Sequence, residues 1–312
     1  MQPEIRKRPA RPSGVLLGTA LAILLVFLLV VVLFFVLSSF TPTLLGKCVA
    51  VMDINMPLTV EGAAPSLFDV GYPGSEQLAA SIASLNRRED VGAVVLVFNS
   101  PGGSVVATRE VYQSVKELDK PSVSYFREVA ASGAYYVASG TDYIVSDPDA
   151  LTGSIGVIAT FTSMAGLLEK IGVNVTSIKS GEHKDIGSSY RNMTAGEKAI
   201  LQELIDEVYQ EFRGVVVENR GNKLNKAVFD NVTDGRILSG RQAYKVGLVD
   251  ELGTKKDAIK KAADLAGIPY TSVEDIRICP VPTSTADTGL FSLESFLRKL
   301  QAGSTVPSLS YK

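Results

Sequence analysis

The chain has 312 residues and a mass of 33.3 kDa, room for one large or two ordinary domains with a sizeable core. Its 46% apolar and 21% charged residues exclude collagen-like and disordered classes, and two cysteines give no reason to expect a disulfide framework. A net charge of -2 excludes nucleic-acid binding through overall basicity, and a lone histidine, His183, excludes a multi-histidine metal site.

Residues 1–14 set Arg6, Lys7, Arg8 and Arg11 against Glu4, a local charge of +3. Val15 to Leu37 follows as 23 uncharged residues; as a helix it reaches roughly 34 Å, enough to cross a hydrocarbon core of about 30 Å. The run exceeds the apolar region of a signal peptide, and Ser38 to Thr41 offers no small-residue cleavage site. A single-pass anchor in the cell membrane is expected, with the basic tail cytoplasmic and the rest of the chain outside. Lys47, just ahead of Cys48, spoils a lipoprotein-type cleavage box. Of 31 basic and 33 acidic residues, four and one precede the run, so the exported part has an acidic excess of five and is not built to lie on anionic lipid.

After a linker, 38–47, strand-like runs occur at Val49 to Ile54, Ala93 to Phe98, Ser122 to Phe126, Tyr143 to Val145 and Val175 to Ile178. Helical faces lie between them, at Leu78, Ile82 and Leu85 and at Val111, Val115 and Leu118. This alternation predicts an α/β domain with a mostly parallel sheet and right-handed crossovers. Neither cysteine sits in a C-x-x-C spacing, so structural zinc is not expected. Thr194 and Glu197 form a capping box opening the longest helix, predicted to run to about Arg220 and to bury Leu201, Leu204, Ile205, Val208 and Phe212. A second box, Ser239 with Gln242, opens a helix that stops at Gly247. The segment 271–312 is rich in Ser, Thr and Pro after Pro280, apart from an amphipathic stretch around Phe291 to Leu300.

Asn99 to Gly103 follows a strand and precedes a helix, and paired glycines there let a peptide N–H face a developing oxyanion. The same turn also suits an ordinary βα connection. Two serines stand in small-residue surroundings, Ser154 in Thr152 to Gly156 and Ser132 in Ala130 to Ala134; each is a candidate nucleophile or a structural turn. Two candidate bases, His183 and Lys184, adjoin in Ser180 to Asp185. A lysine serves as a base only where its surroundings keep it neutral. The residues themselves leave both pairs open.

In their order, Asn99 to Gly103, Ala130 to Tyr136, Leu151 to Val157, Ser180 to Ile186 and Gly235 to Gly253 resemble the bacterial signal peptide peptidase A family, SppA, in its single-domain form. The resemblance covers roughly Val49 to Ala266. It implies a Clp-protease/crotonase-like fold in a Ser-Lys peptidase domain over 48–270, needing neither metal nor organic cofactor. It also implies Ser154 as nucleophile, Lys184 as general base, and the N–H groups of Gly103 and Ile155 as oxyanion donors, with Gly102 as substitute. Ser132 stands where the related Clp protease has its catalytic serine, and is the second choice, lining the site. The sequence departs from the family where Arg127, Glu128 and Val129 precede Ala130 and where Ala134 replaces a glycine, which bears on subsite shape.

The expected function is therefore a membrane-anchored serine endopeptidase of leftover signal peptides and other short or unfolded apolar chains. The expected partners are peptide substrates, the membrane, and further copies of the chain in a homo-oligomer sharing active sites, with no nucleic acid. The rival expectations are a crotonase-like hydratase of a CoA thioester and a catalytically idle membrane scaffold.

Overall fold

The computed structural model describes residues 22–35, 46–64 and 71–281, and the chain divides into two compact units, Met1–Lys47 and Cys48–Lys312. In the first, residues 22–35 form helix α1, made only of Ala, Ile, Leu, Val and Phe and largely exposed along its length. Among the described residues no helix is long and apolar enough to cross a membrane. The expected span, Val15 to Leu37, runs past α1 at both ends onto residues outside the described ones, as do the basic tail and most of the linker.

The second unit runs β1 (Cys48–Ile54), α2 (Ser75–Ser84), β2 (Val91–Ser100), α3 (Val105–Lys116), β3 (Ser122–Ala131), α4 (Gly133–Ser139), β4 (Tyr143–Ser146) and β5 (Leu151–Gly153). It continues with α5 (Ala165–Lys170), α6 (Ala195–Arg220), α7 (Lys226–Val232), β6 (Ile237–Ser239), α8 (Gly240–Val246), β7 (Glu251–Leu252), α9 (Lys255–Leu265) and β8 (Ile278–Val281). The sheet order is β6-β5-β3-β2-β1-β8, with β4 on β3 and β7 on β4. Every pairing is parallel except β5 with β6. On the edge away from β2, β3 serves two neighbours, since residues 123–126 pair with β4 and residues 129–131 with β5. That fork places the end of β5 beside the end of β3.

The near-continuous apolar strands reflect burial on both faces. Alternate residues point to opposite sides: Met52, Leu96 and Phe98 pack with Leu78, Ile82 and Val111 of α2 and α3, while Val51, Val95 and Val97 meet Ala258, Ile259 and Ala262 of α9. Both capping boxes are formed. Thr194 Oγ1 accepts from the Glu197 N–H at 3.2 Å while Glu197 Oε2 accepts from the Thr194 N–H at 2.9 Å. Ser239 and Gln242 repeat the exchange ahead of α8, which stops at Gly247 in the left-handed region, φ 87°.

Several expectations are corrected. Val175 to Ile178 is not a strand: an extended run needs a neighbour for its backbone groups, and within one chain this stretch lies out in solvent, with Ile178 98% exposed. α6 has the predicted extent, but of the predicted face only Phe212 is buried; Leu201, Ile205 and Val208 are half-buried and Leu204 is exposed. The helix packs on α4, and its buried apolar residues, Phe212 and Val216, lie in its C-terminal half. The compact unit also continues past residue 270, because β8 adds to the sheet beside β1 and Cys279 forms a disulfide with Cys48, 231 residues away. Among the described residues, the one Cys/His/Asp/Glu grouping tight enough for a cation is Cys48, Asp90 and Cys279. With both sulfurs in the disulfide it offers only one carboxylate.

An ion pair fixes the foot of α6. Arg220 and Asp250 are 1% and 8% exposed and joined at 2.8 Å, and the guanidinium also donates to Gly247 O at 3.1 and 3.0 Å. Burial alone would raise the Asp250 carboxyl, but the hydrogen bonds and charge of Arg220 hold it below the ordinary range. Arg220→Ala leaves the buried Asp250 carboxylate only Lys223, at 2.9 Å, and the Ile144 N–H, at 2.8 Å, so it should cost about 3 kcal/mol of unfolding free energy, the lower end for a broken buried pair, read by urea titration. A loss under about 1 kcal/mol would mean that Lys223 alone holds the carboxylate.

Candidate active site

The site gathers where the parallel strands end. β2 stops at Ser100, and the turn to α3 is held by a bridge to Leu58: the Leu58 N–H donates to Gly102 O at 2.8 Å and the Ser104 N–H to Leu58 O at 2.9 Å. Both glycines are required. Gly102 has φ +93°, and a side chain at Gly103 would place its first carbon 1.8 Å from Leu58 O. In a parallel bridge the partner's own N–H points away from the bonded strand, and the Gly103 N–H makes no hydrogen bond among the described residues.

Against this turn lies Ser132, between the last residue of β3 and the first of α4, at φ 53°, ψ −124°. A non-glycine residue there is strained. The strain is held by its N–H donating to Gly153 O at 2.9 Å and its carbonyl accepting from the Tyr136 N–H at 3.0 Å. Gly102 closes the opposite side, since a methyl added to it would fall 2.6 Å from the Gly133 nitrogen. Ser132, Gly103 and Gly133 line a pocket of about 180 Å³ whose walls include Val105, Tyr136, Val157, Ile158 and Phe212. The charged residues on it, Arg109 and Glu211, are committed to each other through Arg109 Nε and Glu211 Oε1 at 3.0 Å. Tyr136 also donates to Glu211, at 3.1 Å, and burial beside that carboxylate pushes its phenol up to about 12, so it stays a donor.

Ser154 follows β5 as Ser132 follows β3, and the preceding residues, Gly153 and Ala131, are paired. It too has positive φ, 50°, and its N–H donates to Arg236 O at 2.9 Å. Neither Ser154 nor Lys184 lines the pocket, and Ile155 is fully buried. Lys184 and His183 are exposed on a turn between α5 and α6, and among the described residues no hydrogen bond joins Lys184 to either serine. The structure thus gathers Gly102, Gly103 and Ser132, sets Ser154 one strand away, and leaves the candidate bases apart. Gly133, which sequence reasoning did not single out as a donor, begins α4 with an N–H that has no partner within the helix.

The turn bearing Lys184 is pinned through its neighbour Asp185, which binds Lys179 at 2.6 Å and Arg191 at 2.7 Å, while Arg191 reaches Glu197 at 2.8 Å. The Arg191 and Lys179 hydrogen bonds hold Asp185 well below the usual carboxylate range. Arg191 and the Thr194 N–H bring Glu197 from an ordinary 4.5 to about 2. Because both carboxyls are depressed, their stabilising effect is complete above the ordinary range and is lost as pH falls towards 2. Amide protection over residues 180–193, taken relative to the intrinsic exchange rate at each pH, should therefore fall between about pH 4.5 and 2, and at pH 7 in Arg191→Gln. Unchanged exchange in that variant would mean the turn is held by other contacts.

A serine forced into positive φ where a strand meets a helix, with free backbone donors alongside, is geometry suited to acyl transfer. Residues 114–269 match peptidase family S49, and the chain belongs to that family. It is 42% identical over 215 residues to a candidate protease of Methanocaldococcus jannaschii, covering 68% of this chain and 67% of that protein. It is 33% identical over 234 residues to a candidate signal peptide peptidase SppA of Enterococcus faecium, covering 72% of this chain and 67% of that one. Among solved structures, a mutant of the 1510-N membrane-bound stomatin-specific protease matches with a TM-score of 0.49 and 14% identity, over 77% of this chain and 99% of that one.

Proposed function

We propose that the protein is a membrane-anchored serine endopeptidase, Clp-protease/crotonase-like in fold, that hydrolyses leftover signal peptides and other short or unfolded apolar chains, with Ser132 as nucleophile and Lys184 as general base. The observation carrying this reading is Ser132 itself, strained at the β3–α4 junction and open to an apolar pocket beside the N–H groups of Gly103 and Gly133. The resemblance alone pointed to Ser154. Its place off the pocket is why the geometry favours its neighbour, and Ser154 with the Ile155 N–H stays as the second assignment.

In the proposed reaction Ser132 Oγ attacks the scissile carbonyl carbon while neutral Lys184 Nζ takes the hydroxyl proton. The oxyanion lies between the Gly103 and Gly133 N–H groups. When the C–N bond breaks, the lysine ammonium gives its proton to the leaving amine; the freed lysine amine then takes a proton from water, whose oxygen attacks the ester carbonyl, and returns it to Ser132 Oγ as the acyl group leaves. Atoms and charge balance without a metal or organic cofactor.

A base that is exposed in one chain must be covered elsewhere if it is to stay neutral. The segment between β5 and α6 offers the means, because Ile158 is 87% exposed and Leu167, Ile171 and Val175 are also bare. We infer a homo-oligomer in which this apolar arm packs on a neighbouring copy and brings Lys184 to that copy's Ser132.

The uncharged run over 15–37, its basic flank and the all-apolar α1 support an anchor with the catalytic unit outside, and the Cys48–Cys279 disulfide suits an oxidising compartment. Protease added to intact spheroplasts should remove the large unit; its protection would reverse the topology. The chemical reading is tested by a fluorophosphonate followed by peptide mapping, with the adduct expected on Ser132. An adduct on Ser154 would move the nucleophile one strand over. No adduct together with no peptide hydrolysis would leave the hydratase and the idle scaffold as the readings to pursue.

A further inference from the structure

Buried hydroxyls on and just after the helices share a pattern of finding an acceptor: Ser75 of α2 donates to the Glu110 carboxylate, and three others bond back to the carbonyl three residues earlier. Ser114 donates to Val111 O at 2.7 Å, Ser139 to Tyr136 O at 2.7 Å and Thr141 to Ala138 O at 2.8 Å. Thr108 of α3 departs from it. Its side chain is buried, with the residue 4% exposed, and among the described residues Thr108 Oγ1 is the one buried side-chain polar atom without a hydrogen-bond partner.

Thr108 also lines the Ser132 pocket. A methyl placed on Gly133 would fall 2.3 Å from Thr108 Oγ1 and 3.3 Å from the Gly103 nitrogen, so the hydroxyl lies against the residue that follows the nucleophile. The other pocket walls are largely apolar, and Arg109, Glu211 and Tyr136 are bonded to one another. A buried hydroxyl with no partner carries a desolvation cost that is recovered when a ligand completes its hydrogen bond.

We propose that Thr108 is a specificity-determining residue whose hydroxyl bonds a hydroxyl-bearing side chain, Ser or Thr, on the substrate residue whose carbonyl is attacked. This rests on the reading of the Ser132 pocket as the substrate site. A side chain of that class fits the walls through its carbon atoms and meets its one polar need at Thr108. A site holding a polar group rejects the analogue that leaves it unpaired.

The test uses the full-length protein and fluorogenic peptides that differ at this one residue, Thr against isosteric Val and Ser against Ala. The wild type should favour the hydroxylated member of each pair about three- to tenfold in kcat/KM, the scale of one neutral hydrogen bond. Thr108→Val should bring the Thr/Val ratio to about one or below, while Thr108→Ser keeps the preference. Because the readout is a ratio on one preparation, it is unaffected by losses of folded or active protein. A ratio that Thr108→Val does not change, or one near unity in the wild type, would overturn the specificity inference and leave the peptidase reading standing. Failure of the wild type to cleave any of the four peptides would overturn both.

Discussion

Ser132→Ala should lower kcat/KM for peptide hydrolysis by about 10⁴-fold or more, the scale on which serine hydrolases lose activity with the nucleophile. The substitution keeps the Cβ, and with it the steric demand at φ 53°. The hydrogen bonds that hold the junction come from the Ser132 backbone, so the unfolding midpoint should not move. Ser154→Ala should cost at least ten times less, about a factor of 10–100 at most, because this serine is also fixed through its N–H and stands off the pocket. The two variants discriminate sharply. A folded, inactive Ser154→Ala beside an active Ser132→Ala would return the nucleophile to the position that the sequence resemblance first indicated.

Much of the fold was legible because its signals are local. Thr194 with Glu197 and Ser239 with Gln242 are three residues apart, so the side chains and N–H groups that meet across them are fixed by helix geometry alone. The buried strands were legible for a related reason, since a strand covered on both faces reads as a nearly continuous apolar run. What escaped depends on distant parts of the chain. Nothing local relates Cys48 to Cys279 until β8 is laid beside β1. The strain at Ser132 likewise arises from Gly102 on one side and Gly153 on the other, and a window of small residues reads the same with or without it. Val175 to Ile178 failed in the opposite direction: its apolar pattern is genuine, but a single chain provides nothing for it to pack against. That excess of apolar surface bears directly on where the lysine works.

Lys184→Ala and Lys184→Arg should both lower kcat/KM by about 10³-fold or more, because alanine has no base and a guanidinium stays protonated at any working pH. His183→Ala should keep most of the activity. Stronger still is the mixing experiment. If serine and lysine meet across a subunit boundary, a co-assembled equal mixture of Ser132→Ala and Lys184→Ala chains contains sites that draw the serine from one variant and the lysine from the other. Random neighbours make about one site in four complete, so roughly a quarter of the wild-type rate should return from two inactive parents. If both groups serve within one chain, every site in the mixture lacks one of them and no activity returns. The exposed turn bearing Lys184 and the bare arm through Ile158, Leu167 and Ile178 favour the first outcome. Replacing Leu167 and Ile171 by Asp should then abolish activity together with assembly, because charge on that surface opposes the packing that would cover the lysine. A monomeric variant that still hydrolyses peptides at the wild-type rate would place the whole dyad in one subunit.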